Sequence, residues 1–411
     1  MAGFPAPVPW RTPMRGRNPD EEHRTSTPLE LFFDLCFVVA VSAAASALHH
    51  ALAAGRVAEG VFGFLVVFFG IWWPWVNFTW FASAYDTDDV SYRLLTFAQM
   101  AGVLVIAAGV PSAFVAFDFR VMVVGYVIMR LALVALWLRA AAEDPPGRAT
   151  ARRFALGIGV AQVFWILRLW LVPPWAILGF AVLGVAELLI PVWAERGGRP
   201  TQWHADHIAE RYGLFTIIVL GECILATTTA IQAALADGGL SAGVLGVAVG
   251  GLLLVFAGWW AYFKNSTHIA ERRGSARYAF AWGYGHVIVF ASAAALGAGL
   301  QVAADETHGE IALDPVLAAM TVAVPVAIYL LAVWTLHATE ASRATLASVI
   351  GGVALVLAVA LATPILGLSL AVPAMGLVVV GLIAFSRIRA GRRSAPIVPS
   401  VVRSEGEALA P

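Results

Sequence analysis

Leu29-Glu30-Leu31-Phe32-Phe33-Asp34-Leu35-Cys36-Phe37-Val38-Val39-Ala40 opens an apolar run that continues to Ala54. A helix of about 20 residues covers roughly 30 Å, the hydrocarbon thickness of a bilayer, so this run is long enough to span a membrane. It is too long for the apolar region of a cleaved leader and has no convincing cleavage site behind it. Further apolar runs lie at 58–82, 94–110, 113–139, 154–172, 174–194, 212–235, 242–264, 279–301, 315–336, 345–363 and 367–386. The expected fold is therefore all-α: a polytopic membrane protein with about 12 transmembrane helices. The count falls if 94–110 or 345–363 is re-entrant.

Composition agrees. Of 411 residues, 60% are hydrophobic and 13% charged, and mean hydropathy is +0.81. Soluble domains average about 25% charged residues. The formal charge of zero supplies no field for nucleic acid. Two cysteines, Cys36 and Cys223, both in apolar runs, exclude a disulfide framework and a cysteine-rich zinc site.

Arginine sets the orientation, because basic residues stay on the cytoplasmic side. They gather in the N-terminal tail (Arg11, Arg15, Arg17, Arg24), at Arg93, around 139–153, at Arg196, Arg199 and Arg211, around 264–277, at Arg343, and after Arg387. The intervening loops offer only Arg56 and Arg120, and the stretch 303–314 is acidic. Both termini are expected to be cytoplasmic, in a bacterial inner membrane. The tails, 1–28 and 387–411, are expected to be disordered, and the arginines at 387–393 suit anionic lipid contact.

An internal repeat is also expected. Gly70-Ile71-Trp72-Trp73 recurs as Ala257-Gly258-Trp259-Trp260, and the same offset sets Gln99 opposite His286. Ala135-Leu136-Trp137 is echoed by Ala332-Val333-Trp334. These matches predict two six-helix repeats, 29–196 and 197–386, sharing one orientation, with any site near their interface.

Charges inside spans cost about 2.5–3.5 kcal/mol unless paired or facing a cavity. Asp34, Arg130, Arg168, Glu187, Glu222 and His286 are such residues, with Gln99 as a polar companion. Each has a bland reading: ion pairing for Asp34, Arg130, Glu187 and Glu222, outward snorkelling for Arg168, a hydrogen-bonded core histidine for His286. The functional reading is binding of a solute or a proton. Glu30 completes a capping box with Thr27. His204-Ala205-Asp206-His207 with Glu210 has no further ligand at useful spacing, so no metal site is expected. Asp86-Thr87-Asp88-Asp89 reads as the cap of the third helix, and the Trp clusters as packing or interfacial rings. No phosphate loop, nucleophile elbow or dinucleotide fingerprint is present, and no cofactor is expected.

Pro28-Leu29-Glu30-Leu31-Phe32-Phe33-Asp34-Leu35-Cys36-Phe37-Val38 and Glu210-Arg211-Tyr212-Gly213-Leu214-Phe215-Thr216-Ile217-Ile218-Val219-Leu220-Gly221-Glu222 resemble the two signatures of the bacterial low temperature requirement protein A family. Tyr85-Asp86-Thr87-Asp88-Asp89 after a Trp-rich helix also fits. Cys223 stands where a small polar residue is expected. The resemblance spans about residues 25–390 and implies a bacterial membrane protein. It singles out Glu30, Phe33, Asp34, Glu210, Arg211, Gly221 and Glu222 as motif positions and implies no substrate. The leading functional expectation is a secondary-transporter-like protein for a small solute, with an anionic solute and proton coupling as its options. The alternatives are an intramembrane enzyme acting on a lipid or isoprenoid, and a non-transporting structural or sensory protein.

Overall fold

The structure, a computed structural model, describes residues 9–22, 24–236, 241–264, 276–337 and 343–393. The described residues form helices and no strand. Twelve are long: α1 Pro28–Ala53, α2 Val57–Tyr85, α3 Val90–Ala116, α4 Arg120–Glu143, α5 Arg148–Arg168, α6 Trp175–Glu195, α7 Ala205–Ala236, α8 Ala242–Phe263, α9 Ala276–His308, α10 Pro315–His337, α11 Arg343–Leu361 and α12 Leu368–Arg393. A single helical turn, Thr363–Leu366, precedes α12.

Ten of these are long and apolar enough to cross a membrane. The other two are α5, which carries Arg148, Arg152, Arg153 and Arg168, and α11, whose apolar part is the shorter Leu346–Leu361. The expected division at Pro111 is absent. Pro111 lies inside α3, and the chain turns only at Phe117, in the left-handed region with φ 52°. A proline removes one backbone donor, and an apolar helix packed on its neighbours tolerates that loss. Helix α7 starts seven residues before the expected span, which places Arg211 inside it. At the other end, α12 runs through the arginine cluster to Arg393, and 394–411 lie outside the described residues.

Local signals set several starts. Thr27 and Glu30 form the reciprocal capping box of α1. Asp89 caps α3 through Tyr92 N, and Ser241 caps α8 through Val244 N.

The N-terminal segment departs from expectation. Residues 9–22 and 24–27 are non-helical yet folded onto the bundle. Met14 is fully buried, and its N–H donates to Glu143. Thr12 N–H donates to Asp89. Arg24 donates to the Ser83 and Ala82 carbonyls and so closes the C-terminal end of α2, where the helix dipole favours a cation.

Helices pair in a recurring order. Helix α1 packs on α2 and α3, α3 on α4, α4 on α5, and α5 on α6. Helix α7 packs on α8 and α9, α9 on α10, α10 on α11, and α11 on α12. Helices α1 and α2 contact α7 and α9. One difference positions the site. Helix α8 lies along α12 so closely that a Cβ on Gly250 would sit 2.4 Å from Pro373 N. Helix α2 makes no comparable approach to α6. Space is left between them.

Candidate functional site

Two buried charge networks stand apart. The first joins the N-terminal turns of α1 and α7. Glu30 and Asp34 are four residues apart, as are His207 and Arg211, so each pair shares one helix face. The two ladders interleave. Arg211 grips Asp34 with two hydrogen bonds, Nε–Oδ2 at 3.0 Å and Nη2–Oδ1 at 2.5 Å. Its Nη1 lies 3.0 Å from Glu30 Oε1. His207 Nε2 lies 3.1 Å from the same oxygen. The Trp75 indole N–H donates to Asp34 Oδ1 at 2.7 Å.

Phe33 and Phe37 of α1 are fully buried, with ring centroids 4.9 Å apart, and Glu210 accepts the Ser26 N–H. His204 contacts the Glu21 carbonyl at 2.8 Å. Of the residues weighed for a metal site, His204 and Glu210 thus hold the N-terminal segment, and His207 pairs with Glu30. Asp34, read as either an ion pair or a titrating group, has the geometry of an ion pair. A bidentate guanidinium–carboxylate pair is among the strongest polar contacts a protein makes, and here it ties the first half of the chain to the second.

Asp86, outside the spans, borders this network. Burial raises its pKa from the ordinary 3.8 to about 6, the nearby Glu30 charge adds to the rise, and Arg24 opposes it. A carboxyl favoured in its neutral form in the folded state supports stability most below pH 4 and loses that support as pH rises toward 6. Asp86→Asn keeps the side-chain oxygen that accepts the Asp88 N–H. The variant is expected to be more stable than the parent at pH 8, by on the order of 2 kcal/mol. The gap should close at pH 4. Thermal melts of detergent-solubilised protein at both pH values check this, and an equal difference at both contradicts it.

The second network centres on Glu187 of α6, fully buried. Its carboxylate accepts from Arg130 Nη2 at 2.5 Å, Trp73 Nε1 at 3.0 Å and Tyr126 OH at 3.1 Å. Gln162 Nε2 and Trp165 Nε1, both at 3.3 Å, complete the set. Donors from α2, α4 and α5 thus converge on one acid. Arg130, central in its span, neutralises Glu187 and not Asp34 or Glu222. Its Nε and Nη1 have no hydrogen-bond partner among the described residues.

Glu187 sits between two cavities. One of about 470 Å³ is lined by Trp73, Asn77, Trp80, Trp137, Glu195 and Arg196, among others, with Phe280 and Tyr284 of α9 closing it from the second half. It reaches the surface at Arg196 and Pro200, both exposed. This volume falls within the range of small-molecule sites, about 300–1,000 Å³. The other, of about 40 Å³, is lined by Phe69, Tyr126, Trp165, Arg168 and Phe180, among others. It lies toward the α3–α4 and α5–α6 turns. Trp73 belongs to one wall, Tyr126 and Trp165 to the other, and all three donate to Glu187.

The remaining candidates line neither cavity. Glu222 is buried beside Ser42 of α1, with Oε2 unpartnered among the described residues, and the adjoining Gly221 is exposed. His286 donates from Nδ1 to the Trp282 carbonyl at 2.7 Å and accepts from Tyr262 OH at 3.0 Å, the arrangement of a neutral core histidine. Gln99 is buried with its amide nitrogen unpartnered among the described residues. Trp72 is buried, but Trp259 and Trp260 are about half exposed, so the paired motif occupies two different environments.

Sequence reasoning did not single out Trp73, Tyr126, Gln162, Trp165 or His207 as partners of the buried charges. Gln162, a lone amide in the apolar part of α5, three residues before Trp165, was the available signal.

Comparison with known proteins agrees with this architecture. An uncharacterized protein of Rhizobium meliloti (strain 1021) is 28% identical over 287 residues, 66% of this chain and 68% of that one. The description of bacterial low temperature requirement A protein matches residues 25–384, which include both charge networks and both cavities. This multi-pass helical membrane protein belongs to the bacterial low temperature requirement A family.

Proposed function

We propose that this protein is a secondary-transporter-like carrier of a small solute in the bacterial inner membrane, with both termini cytoplasmic. The observation that carries the reading is the position of Glu187. A buried carboxylate paired with Arg130 separates a large cavity reaching one face from a small cavity toward the other. Intramembrane ionisable groups beside cavities mark solute and proton pathways, and ligand sites between repeats are the usual plan of such carriers. The coupling group in this reading is Glu187, and Asp34 serves as a joint between halves.

The halves are two six-helix repeats in the same orientation. Matching helix pairings support this. So does a pair of close approaches: a Cβ on Gly102 would meet the Gly125 carbonyl at 2.8 Å, and one on Gly299 the Thr321 carbonyl at 2.1 Å. Gly299 follows Gly102 by the same interval that separates Trp334 from Trp137.

Single-cysteine variants test the reading, in a background with Cys36 and Cys223 replaced. Asn77→Cys is expected to react with a membrane-impermeant thiol reagent only from the cytoplasmic side. Met122→Cys should react only from the periplasmic side, and more slowly because its cavity is narrow. Labelling of both from one side contradicts the carrier. Reactivity only toward a lipid-soluble reagent points to the lipid or isoprenoid enzyme instead. Metabolite profiles of a deletion strain, with and without complementation, then identify the solute.

A further inference from the structure

The bundle of α2, α4, α5 and α6 holds three buried charges, Arg130, Glu187 and Arg168. Arg130 pairs with Glu187, which leaves Arg168 as an excess cation. Sequence reading allowed Arg168 to snorkel to the surface, but it is only 5% exposed. Its Nε donates to the Ala176 carbonyl at 2.9 Å. The rings of Phe119, Trp165 and Phe180 lie 5.2–5.7 Å from its central carbon. Among the described residues it makes no ion pair. The acid on the nearby turn, Asp118, is paired with Arg120.

A guanidinium cannot lose its charge by deprotonating, and a buried unpaired ion is costly. Cation–π contacts offset part of that cost, without giving the remaining N–H groups an acceptor. Arg168 lines the cavity of about 40 Å³, room for about three water-sized groups. Tyr126 and Trp165, which also line it, hydrogen-bond to Glu187. The space fits the head of an oxyanion and little more.

We propose that this cavity binds a carboxylate or phosphate group on the Arg168 guanidinium. The claim rests on the carrier reading only for its consequence, that the transported solute is anionic; the binding itself stands apart. A free anion and an anionic lipid headgroup share this chemistry, and the test separates them.

Purified protein is melted in phosphatidylcholine nanodiscs with inorganic phosphate or with chloride at equal ionic strength, and in nanodiscs containing phosphatidylglycerol. Stabilisation by inorganic phosphate identifies a free anion, and stabilisation by phosphatidylglycerol alone identifies a headgroup. In either case Arg168→Gln should weaken apparent affinity about tenfold or more, the loss of a charge-assisted hydrogen bond. Arg168→Lys should retain part of it. Phe180→Glu, which tethers a carboxylate beside Arg168, should fold and lose the response, so the test does not depend on Arg168→Gln folding. No stabilisation of the parent protein by either anion overturns the proposal, as does an equal response in the parent and Phe180→Glu. Sided cysteine labelling without anion binding would leave the carrier standing and remove only this site.

Discussion

Arg211→Met is expected to destabilise the folded protein by about 3–5 kcal/mol, the range found when one partner of a buried ion pair is removed. Arg211 is completely buried and holds two carboxylates, Glu30 and Asp34, both also completely buried. Without it both acids must take up protons or draw water into the joint between α1 and α7. Arg211→Lys should fall between, because an ammonium keeps the charge and loses the two-pronged grip on Asp34. Asp34→Asn alone should be milder. It leaves Arg211 with Glu30 and preserves an acceptor for the Trp75 indole. Combining Asp34→Asn with Arg211→Met should recover part of the loss, since one stranded charge disappears. Recovery stays partial because Glu30 then relies on His207 and the Thr27 cap. The monodisperse fraction in detergent and its melting temperature measure all four variants. An Arg211→Met protein as stable as the parent would show that the joint contributes little.

The spans were legible because membrane crossing depends on apolar length, which a sequence displays directly. Partners across the bundle were not. Asp34 and Arg211 lie 177 residues apart, and no local pattern links them. Arg211 was counted among loop arginines because His204, Asp206, His207 and Glu210 make the start of α7 look polar. His204, His207 and Glu210 contact Glu21, Glu30 and Ser26, and so are compatible with a buried first turn. Arg24 and Arg139 misled in the same way. One closes α2 and the other binds Asp89, so neither is a free loop charge. The repeat pointed at Gln99 and His286 because it assumes equivalent environments. The halves differ where it matters: glycines bring α8 onto α12, and α2 makes no comparable approach to α6. The donors around Glu187 are mostly indoles and a phenol, which read as packing rings until a carboxylate is placed among them.

Glu187→Leu is expected to cost about 3–5 kcal/mol and to exceed the cost of Arg130→Met, although both break the same pair. The asymmetry comes from proton chemistry. After Arg130→Met the carboxylate keeps hydrogen bonds from Trp73, Tyr126, Gln162 and Trp165. It can also bind a proton if the charge is too costly. After Glu187→Leu the Arg130 guanidinium has lost the hydrogen-bond acceptor it had and remains charged at any accessible pH. Arg168 then becomes a second unbalanced cation in the same bundle. The order of stability should therefore be parent, Arg130→Met, Glu187→Leu. The double variant Arg130→Met with Glu187→Gln should lie above Glu187→Leu, because no charge is stranded. Melting temperatures and folded yields give the order, and Arg130→Met proving the worse single variant would refute the argument. The double variant also separates folding from function. If Glu187 couples solute movement to a proton, the folded double variant should fail to restore the metabolite profile of a deletion strain. Full restoration would mean that the pair only holds α2, α4, α5 and α6 together.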